Sequence, residues 1–107
     1  MSDWTPERIK ELVESNKVIV FAKGTKMQPM CGFSARAMDI LNSTGKEYEV
    51  VNIFDHENIR PSLVQFSGWP TTPQVFVNGE LLGGSDTVLE MQQSGDLAKK
   101  LDAAFAG

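Results

Sequence analysis

The order of apolar and polar positions divides the chain into alternating helical and extended segments. Thr5-Pro6-Glu7 combines the cap residue, first-turn proline and first-turn acid of a helix N-terminus, and the apolar spacing that follows predicts a helix ending near Asn16. Val18–Ala22 is a continuous apolar run, which favours a strand buried on both faces. Residues 23–30 contain a glycine and a proline and are predicted to form a loop.

The middle of the chain continues this alternation. Residues 31–44 carry helical periodicity, and Gly45 is a suitable stop after them. Residues 48–53 predict a second strand, so that strand, helix and strand succeed one another as in a right-handed parallel crossover. Apolar spacing that begins at Ile59 predicts a further helix, with Gly68 at its end.

The last third of the chain contains the clearest local signal. Asn78-Gly79 separates two short apolar runs, residues 73–77 and 80–82, and this dipeptide suits the type I′ turn of a β-hairpin. Two more helices are predicted on either side of Gly95. The predicted order of helices and strands indicates an α/β fold with a four-stranded mixed sheet covered by helices on both faces.

Composition narrows the function classes. A chain of 107 residues with 41% hydrophobic residues is expected to form one domain over residues 1–107. The net charge of -4 argues against nucleic-acid and membrane-surface partners, and no apolar run approaches the roughly 20 residues of a membrane span. The first seven residues lack the basic and apolar parts of a secretory signal, so we expect a cytoplasmic location.

The chain has one cysteine, Cys31, and therefore no internal disulfide. A lone cysteine is most often a small buried hydrophobe. Here the thiol lies where a loop enters a predicted helix, and the N–H groups and positive dipole end of a helix favour thiolate over thiol. Lys23, at the other end of the loop, adds positive charge. Both effects lower the pKa of the thiol and make Cys31 a candidate nucleophile or soft-metal ligand.

Four motifs occur in order at the spacing of a known family: Lys23-Gly24-Thr25, Cys31-Gly32-Phe33-Ser34, Trp69-Pro70-Thr71-Thr72-Pro73-Gln74 and Gly83-Gly84-Ser85-Asp86. With these motifs the chain resembles a monothiol glutaredoxin of the Cys-Gly-Phe-Ser class over nearly its whole length. The resemblance implies a thioredoxin-like fold, in which Pro73 follows a cis peptide bond and faces Cys31.

The resemblance also implies a glutathione site. Thr72 and Pro73 would bind the extended tripeptide, which pairs with the backbone N–H and C=O of Thr72 as in strand addition. Lys23 and Arg60 would pair with its glycyl carboxylate. Ser85 and Asp86 would hold the γ-glutamyl end, with backbone N–H groups on its carboxylate and Asp86 on its amine. The alternatives are that the two cations are ordinary solvated charges and that Asp86 is only a helix N-cap.

Three hypotheses from different classes follow. Ser34 stands where other glutaredoxins have a second cysteine, so Cys31 would attack a mixed disulfide as nucleophile and need a second glutathione to complete the reaction. We expect at most weak glutathione-dependent oxidoreductase activity of this kind. The leading hypothesis is instead an iron–sulfur carrier, and a redox-inert interaction module with a structural thiol is the third.

The carrier hypothesis starts from the number of sulfur ligands. A 2Fe-2S cluster needs four thiolate-type ligands, whereas two chains supply only their two Cys31 thiolates. The resemblance implies that two glutathiones complete the set in a cluster-bridged homodimer. It also implies apo iron–sulfur client proteins and a BolA-like protein as partners. Many relatives have a cysteine where this chain has Ser85, which removes any auxiliary disulfide with Cys31.

Overall fold

A computed structural model describes residues 4–106, and the first three of the seven residues on which the expected location rests lie outside it. The helices and strands follow the predicted order: α1 (Pro6–Ser15), β1 (Val18–Ala22), α2 (Gly32–Ser43), β2 (Glu49–Asn52), α3 (Ile59–Ser67), β3 (Gln74–Val77), β4 (Glu80–Gly83), α4 (Ser85–Ser94) and α5 (Asp96–Phe105).

The four strands form one mixed sheet in the order β2-β1-β3-β4. β1 runs parallel to β2 and antiparallel to β3, and Val20 pairs with Val50 on one side and with Val75 on the other. β3 and β4 form the predicted hairpin, whose turn residues Asn78 and Gly79 have φ values of 53° and 82°. Two successive positive φ angles are the signature of the type I′ turn.

Both faces of the sheet are covered by helices. Alternate residues of β1 belong to two separate hydrophobic clusters, one with Val20 packed among residues of α2, α4 and α5 and the other with Phe21 among residues of α1 and α3. Every residue of β1 is buried. This explains why its sequence is continuously apolar, as predicted, and the three layers give a thioredoxin-like architecture.

The second strand is shorter than predicted. β2 ends at Asn52, whose side-chain oxygen accepts a hydrogen bond from the N–H of Phe54 at 3.0 Å and caps one turn of 3-10 helix, Ile53–Asp55. Before the strand, Tyr48 is buried and its hydroxyl donates to Asn42 Oδ1 at 2.6 Å. Local side-chain hydrogen bonds thus shorten the strand at its C-terminal end.

The helices of residues 4–106 are all too short or too polar to cross a membrane.

Candidate functional site

The predicted loop of residues 23–30 is a miniature hairpin. The N–H of Met30 donates to the carbonyl oxygen of Lys23 at 2.9 Å, and Gly24 and Pro29 form an isolated antiparallel bridge. The N–H of Gly24 also donates to Asn52 Oδ1 at 3.0 Å, which ties this segment, here called the cysteine hairpin, to the end of β2. The hairpin leads directly into Cys31.

Gly24 is required by the shape of this hairpin. Its φ is +99°, and a Cβ at this position would lie 2.5 Å from the carbonyl oxygen of Gln28 and 2.6 Å from the backbone nitrogen of Met30. Only glycine adopts such a conformation and permits so close an approach of two backbone segments. The shape of the cysteine hairpin therefore explains why the motif Lys23-Gly24-Thr25 has a glycine at its centre.

Lys26, at the tip of the cysteine hairpin, fastens it to the protein. Its ammonium group donates to the carbonyl oxygen of Tyr48 at 2.9 Å and lies 4.0 Å from the centroid of the Tyr48 ring. The hydroxyl of the same tyrosine donates to Asn42 in α2. Lys26 therefore connects the hairpin before Cys31 with the helix after it. Sequence reasoning did not single out this lysine, because nothing in its local pattern points to Tyr48.

Cys31 is the N-cap residue of α2 and is partly exposed, as its place before the predicted helix indicated. Its neutral side chain makes no capping hydrogen bond. The pKa of the thiol lies below its ordinary value, chiefly because the backbone N–H of Ser34 stabilises the thiolate. The N–H of Phe33, the Ser34 hydroxyl and the Lys23 ammonium lower it further, while partial burial acts in the opposite direction.

Ser34 is fully buried and links two parts of the site. Its hydroxyl oxygen accepts a hydrogen bond from the backbone N–H of Lys23 at 3.1 Å, and its hydroxyl also stabilises the Cys31 thiolate. The serine that occupies the place of a second cysteine is therefore a packed, hydrogen-bonded residue rather than a free surface group.

A cavity of about 370 Å³ borders Lys23 and Phe33, two residues that also lower the pKa of Cys31. It brings together all six residues that the family resemblance assigns to glutathione, together with two more, and is lined by Lys23, Phe33, Arg60, Thr71, Thr72, Pro73, Ser85 and Asp86. Cys31 itself lies outside this lining, two residues before Phe33. Phe33 and Thr71 belong to the quoted motifs, but sequence reasoning gave them no separate role.

Charged groups of both signs border the cavity. Arg60 donates from Nη2 to the carbonyl oxygen of Pro70 at 3.1 Å. Asp86 forms an exposed ion pair with Arg36 of α2, at 3.3 Å between Oδ1 and Nη1. The N-cap of α4 is Gly84, so the alternative interpretation of Asp86 as the N-cap residue is wrong. Asp86 lies in the first helical turn, where backbone N–H groups lack partners within the helix.

The segment that connects α3 to β3 forms another wall of the cavity. The Thr72–Pro73 peptide bond is cis, as the family resemblance implied. Gln74 is buried behind this bond, and its side-chain nitrogen donates to the carbonyl oxygens of Trp69 and Thr71 at 2.9 and 3.0 Å. Its side-chain amide therefore fixes backbone that faces the cavity.

The layered fold, the cysteine at a helix N-terminus and the cis Thr72–Pro73 bond define a thioredoxin-like protein with one thiol. The glutaredoxin family model matches residues 18–82. The chain is 46% identical over 106 residues to an uncharacterized monothiol glutaredoxin, ycf64-like, of Synechocystis sp. (strain ATCC 27184 / PCC 6803 / Kazusa), covering 99% of each. The chain therefore belongs to the glutaredoxin family, among its monothiol members.

Solved structures agree with this assignment. The solution structure of reduced poplar apo GrxS14 superposes with a TM-score of 0.82 at 40% identity, covering 94% of this chain and 93% of that one. The crystal structure of a buckwheat glutaredoxin–glutathione complex superposes with a TM-score of 0.83 at 28% identity, covering 92% and 88%.

Proposed function

We propose that this protein binds glutathione and carries a labile 2Fe-2S cluster between two of its subunits, for iron–sulfur cluster assembly and transfer or for iron homeostasis. The observation that carries the proposal is the single cavity of about 370 Å³ that unites Lys23, Arg60, Thr72, Pro73, Ser85 and Asp86 next to a thiol of lowered pKa. Five separate stretches of sequence line this cavity.

Glutathione suits this cavity by its chemistry. The tripeptide has a carboxylate at each end and one amine, and the cavity offers two cations, an exposed carboxylate and the first turn of a helix. Lys23 and Arg60 pair with the glycyl carboxylate, and Asp86 holds the amine. The cavity volume lies within the range of roughly 300–1,000 Å³ usual for small-molecule sites. The buckwheat neighbour is a glutathione complex, which supports the same ligand here.

The number of available sulfur ligands supports the proposed cluster. Each chain has one cysteine, whereas a 2Fe-2S cluster needs four thiolate-type ligands. Two Cys31 thiolates and two glutathione thiolates complete the set. A lowered pKa favours this role, because a ligating thiol must lose its proton. Glutathione is held without a covalent bond, so the cluster is transferable to apo client proteins or to an assembly with a BolA-like protein.

The lowered pKa of Cys31 also favours a second function, deglutathionylation. The Cys31 thiolate attacks the glutathione sulfur of a mixed disulfide, and the client leaves as a thiolate that takes up a proton. A second glutathione thiolate then attacks the glutathione sulfur bound to Cys31, releasing oxidised glutathione and restoring the Cys31 thiolate. Ser34 provides no second thiol, so this step limits the activity.

Anaerobic reconstitution with iron, sulfide and glutathione tests the two functions. If the protein is a cluster carrier, the reconstituted wild type absorbs visible light and elutes as a dimer in size-exclusion chromatography. Cys31→Ser, and the wild type reconstituted without glutathione, are expected to show neither. A colourless monomer that reduces a glutathionylated substrate, with a rate that rises in proportion to the glutathione concentration, would favour the oxidoreductase. A stable cluster assembled without glutathione would contradict the proposed ligand set.

Glutathione binding has its own test, by titration calorimetry on Asp86→Asn. Loss of the charged acceptor for the amine is expected to weaken binding by about tenfold. Asp102→Asn makes the same change at an exposed position of α5 and is expected to bind as the wild type does. Equal affinities of the two variants would argue against the assigned orientation of the tripeptide.

A further inference from the structure

Gln74 is the first residue of β3, and its side-chain amide forms hydrogen bonds through the nitrogen but not through the oxygen. The residue is fully buried, and its Nε2 makes two hydrogen bonds, to the carbonyl oxygens of Trp69 and Thr71. Its Oε1 has no hydrogen-bond partner among residues 4–106. A buried acceptor without a partner is destabilising, because it has given up its hydrogen bonds to water. A glutamine here therefore combines two hydrogen bonds to the chain with an acceptor that has no partner among the described residues.

The two hydrogen bonds hold a segment without regular secondary structure. Residues 68–73 form neither helix nor strand. Three successive carbonyl groups of this segment accept hydrogen bonds from side chains, those of Trp69 and Thr71 from Gln74 and that of Pro70 from Arg60. Thr71 and Thr72 line the cavity. Side chains therefore set the backbone path at this wall of the site.

The geometry points to Gln74 as a positioning residue for glutathione, an inference that rests on the proposed glutathione site. Gln74 does not line the cavity and acts through the carbonyl oxygens of Trp69 and Thr71. By holding them, it presents the backbone N–H and C=O of Thr72 to the extended tripeptide. A segment ordered in advance binds more tightly, because the ligand does not have to offset the loss of chain entropy.

Three measurements on Gln74→Met test this role, with Gln93→Met as the same change at an exposed position of α4. Calorimetry with reduced glutathione is expected to show binding about tenfold weaker for Gln74→Met and unchanged for Gln93→Met. The urea midpoint of Gln74→Met is expected to fall only slightly, because removal of the unpartnered Oε1 offsets part of the cost of the two hydrogen bonds that Nε2 loses. The pKa of Cys31 is also expected to stay unchanged, because Ser34, Phe33 and Lys23 set it.

These readouts separate positioning from a merely structural role, which would move the urea midpoint together with the affinity. Wild-type affinity in Gln74→Met would overturn the inference and leave the proposed glutathione site intact. A wild-type protein that does not bind glutathione would overturn both.

A measurement on the wild type covers the case in which Gln74→Met does not fold. Ligand pairing at Thr72 fixes the segment that accepts the Gln74 hydrogen bonds. The two Nε2 hydrogens of Gln74, followed by NMR, are therefore expected to exchange with solvent more slowly when glutathione is bound. Exchange rates that glutathione leaves unaltered would overturn the inference.

Discussion

The hydroxyl oxygen of Ser34 accepts a hydrogen bond from the backbone N–H of Lys23 at 3.1 Å, across eleven positions of sequence. This contact joins the chain just after β1 to the first turn of α2. The Ser34 hydroxyl also stabilises the Cys31 thiolate, to which its backbone N–H contributes most. One buried side chain thus links the backbone of the cysteine hairpin to the electrostatics of the thiol.

Ser34→Ala is expected to raise the pKa of the Cys31 thiol part of the way to its ordinary value. The hydroxyl contribution is lost, while the larger contribution of the Ser34 backbone N–H remains. The free energy of unfolding is expected to fall by about 1–3 kcal/mol, because the Lys23 N–H loses its acceptor. Ultraviolet absorbance of the thiolate against pH measures the first effect and urea unfolding the second. Ser15→Ala, at the exposed end of α1, is the control, and an unchanged Cys31 pKa in Ser34→Ala would contradict the assigned role.

The lowered pKa of Cys31 predicts a pH dependence of stability. The folded chain releases the thiol proton at lower pH than the unfolded chain, so unfolding takes up protons between the two pKa values. The stabilisation is complete above the unfolded pKa and is lost as the pH falls through the folded pKa. The difference in unfolding free energy between wild type and Cys31→Ser is therefore expected to grow as the pH rises through this window. A difference that is constant with pH would show that folding does not favour the thiolate.

Lys26→Met is expected to loosen the cysteine hairpin. The change removes the hydrogen bond to the Tyr48 carbonyl and the cation–π contact with its ring, at a cost of about 1 kcal/mol in urea unfolding. The amide hydrogen of Met30, which bonds to the Lys23 carbonyl oxygen, is expected to exchange faster. Lys10→Met alters an exposed lysine of α1 and serves as the control. Equal Met30 exchange in both variants would show that Lys26 does not hold the hairpin.

Gly24→Ala and Gly45→Ala separate crowding from backbone strain. Both glycines have positive φ values, +99° and +74°, but a Cβ meets backbone atoms only at Gly24. Gly45→Ala is expected to cost about 1–2 kcal/mol from the unfavourable conformation alone. Gly24→Ala is expected to cost at least about twice as much in urea unfolding, since the hairpin strands must move apart. Similar losses for the two variants would show that the hairpin relaxes easily.

Arg60 is expected to recognise the glycyl carboxylate of glutathione. The wild type should bind the glycyl ethyl ester of glutathione about tenfold more weakly than glutathione itself, because the ester has lost that charge. Arg60→Ala should discriminate less between the two ligands, because only Lys23 then remains to pair with the carboxylate. Calorimetry on the four combinations forms a double-mutant cycle, in which the coupling energy isolates this pair. A coupling energy near zero would place the carboxylate elsewhere.

Local sequence signals predicted most of the fold. Thr5 caps α1 by accepting from the N–H of Arg8 at 3.2 Å, and Gly68 ends α3 with a φ of +72°. Asn78-Gly79 forms the expected turn. These features depend on residues within a few positions of one another, which is why a single sequence suffices for them. The end of β2 was placed one residue too late, because the cap formed by the Asn52 side chain carries no distinct pattern.

By itself the sequence determined the order of helices and strands, the place of Cys31 at a helix N-terminus and, through four motifs, the family. Only the tertiary structure decided which distant groups meet: the Lys23 N–H with the Ser34 hydroxyl, the Lys26 ammonium with Tyr48, and the Gly24 N–H with the Asn52 side chain. The physical reason is the sequence separation over which each kind of interaction acts. Capping, turns and periodicity act within about one helical turn, whereas hydrogen bonds between remote residues exist only once packing of the layers has brought them together.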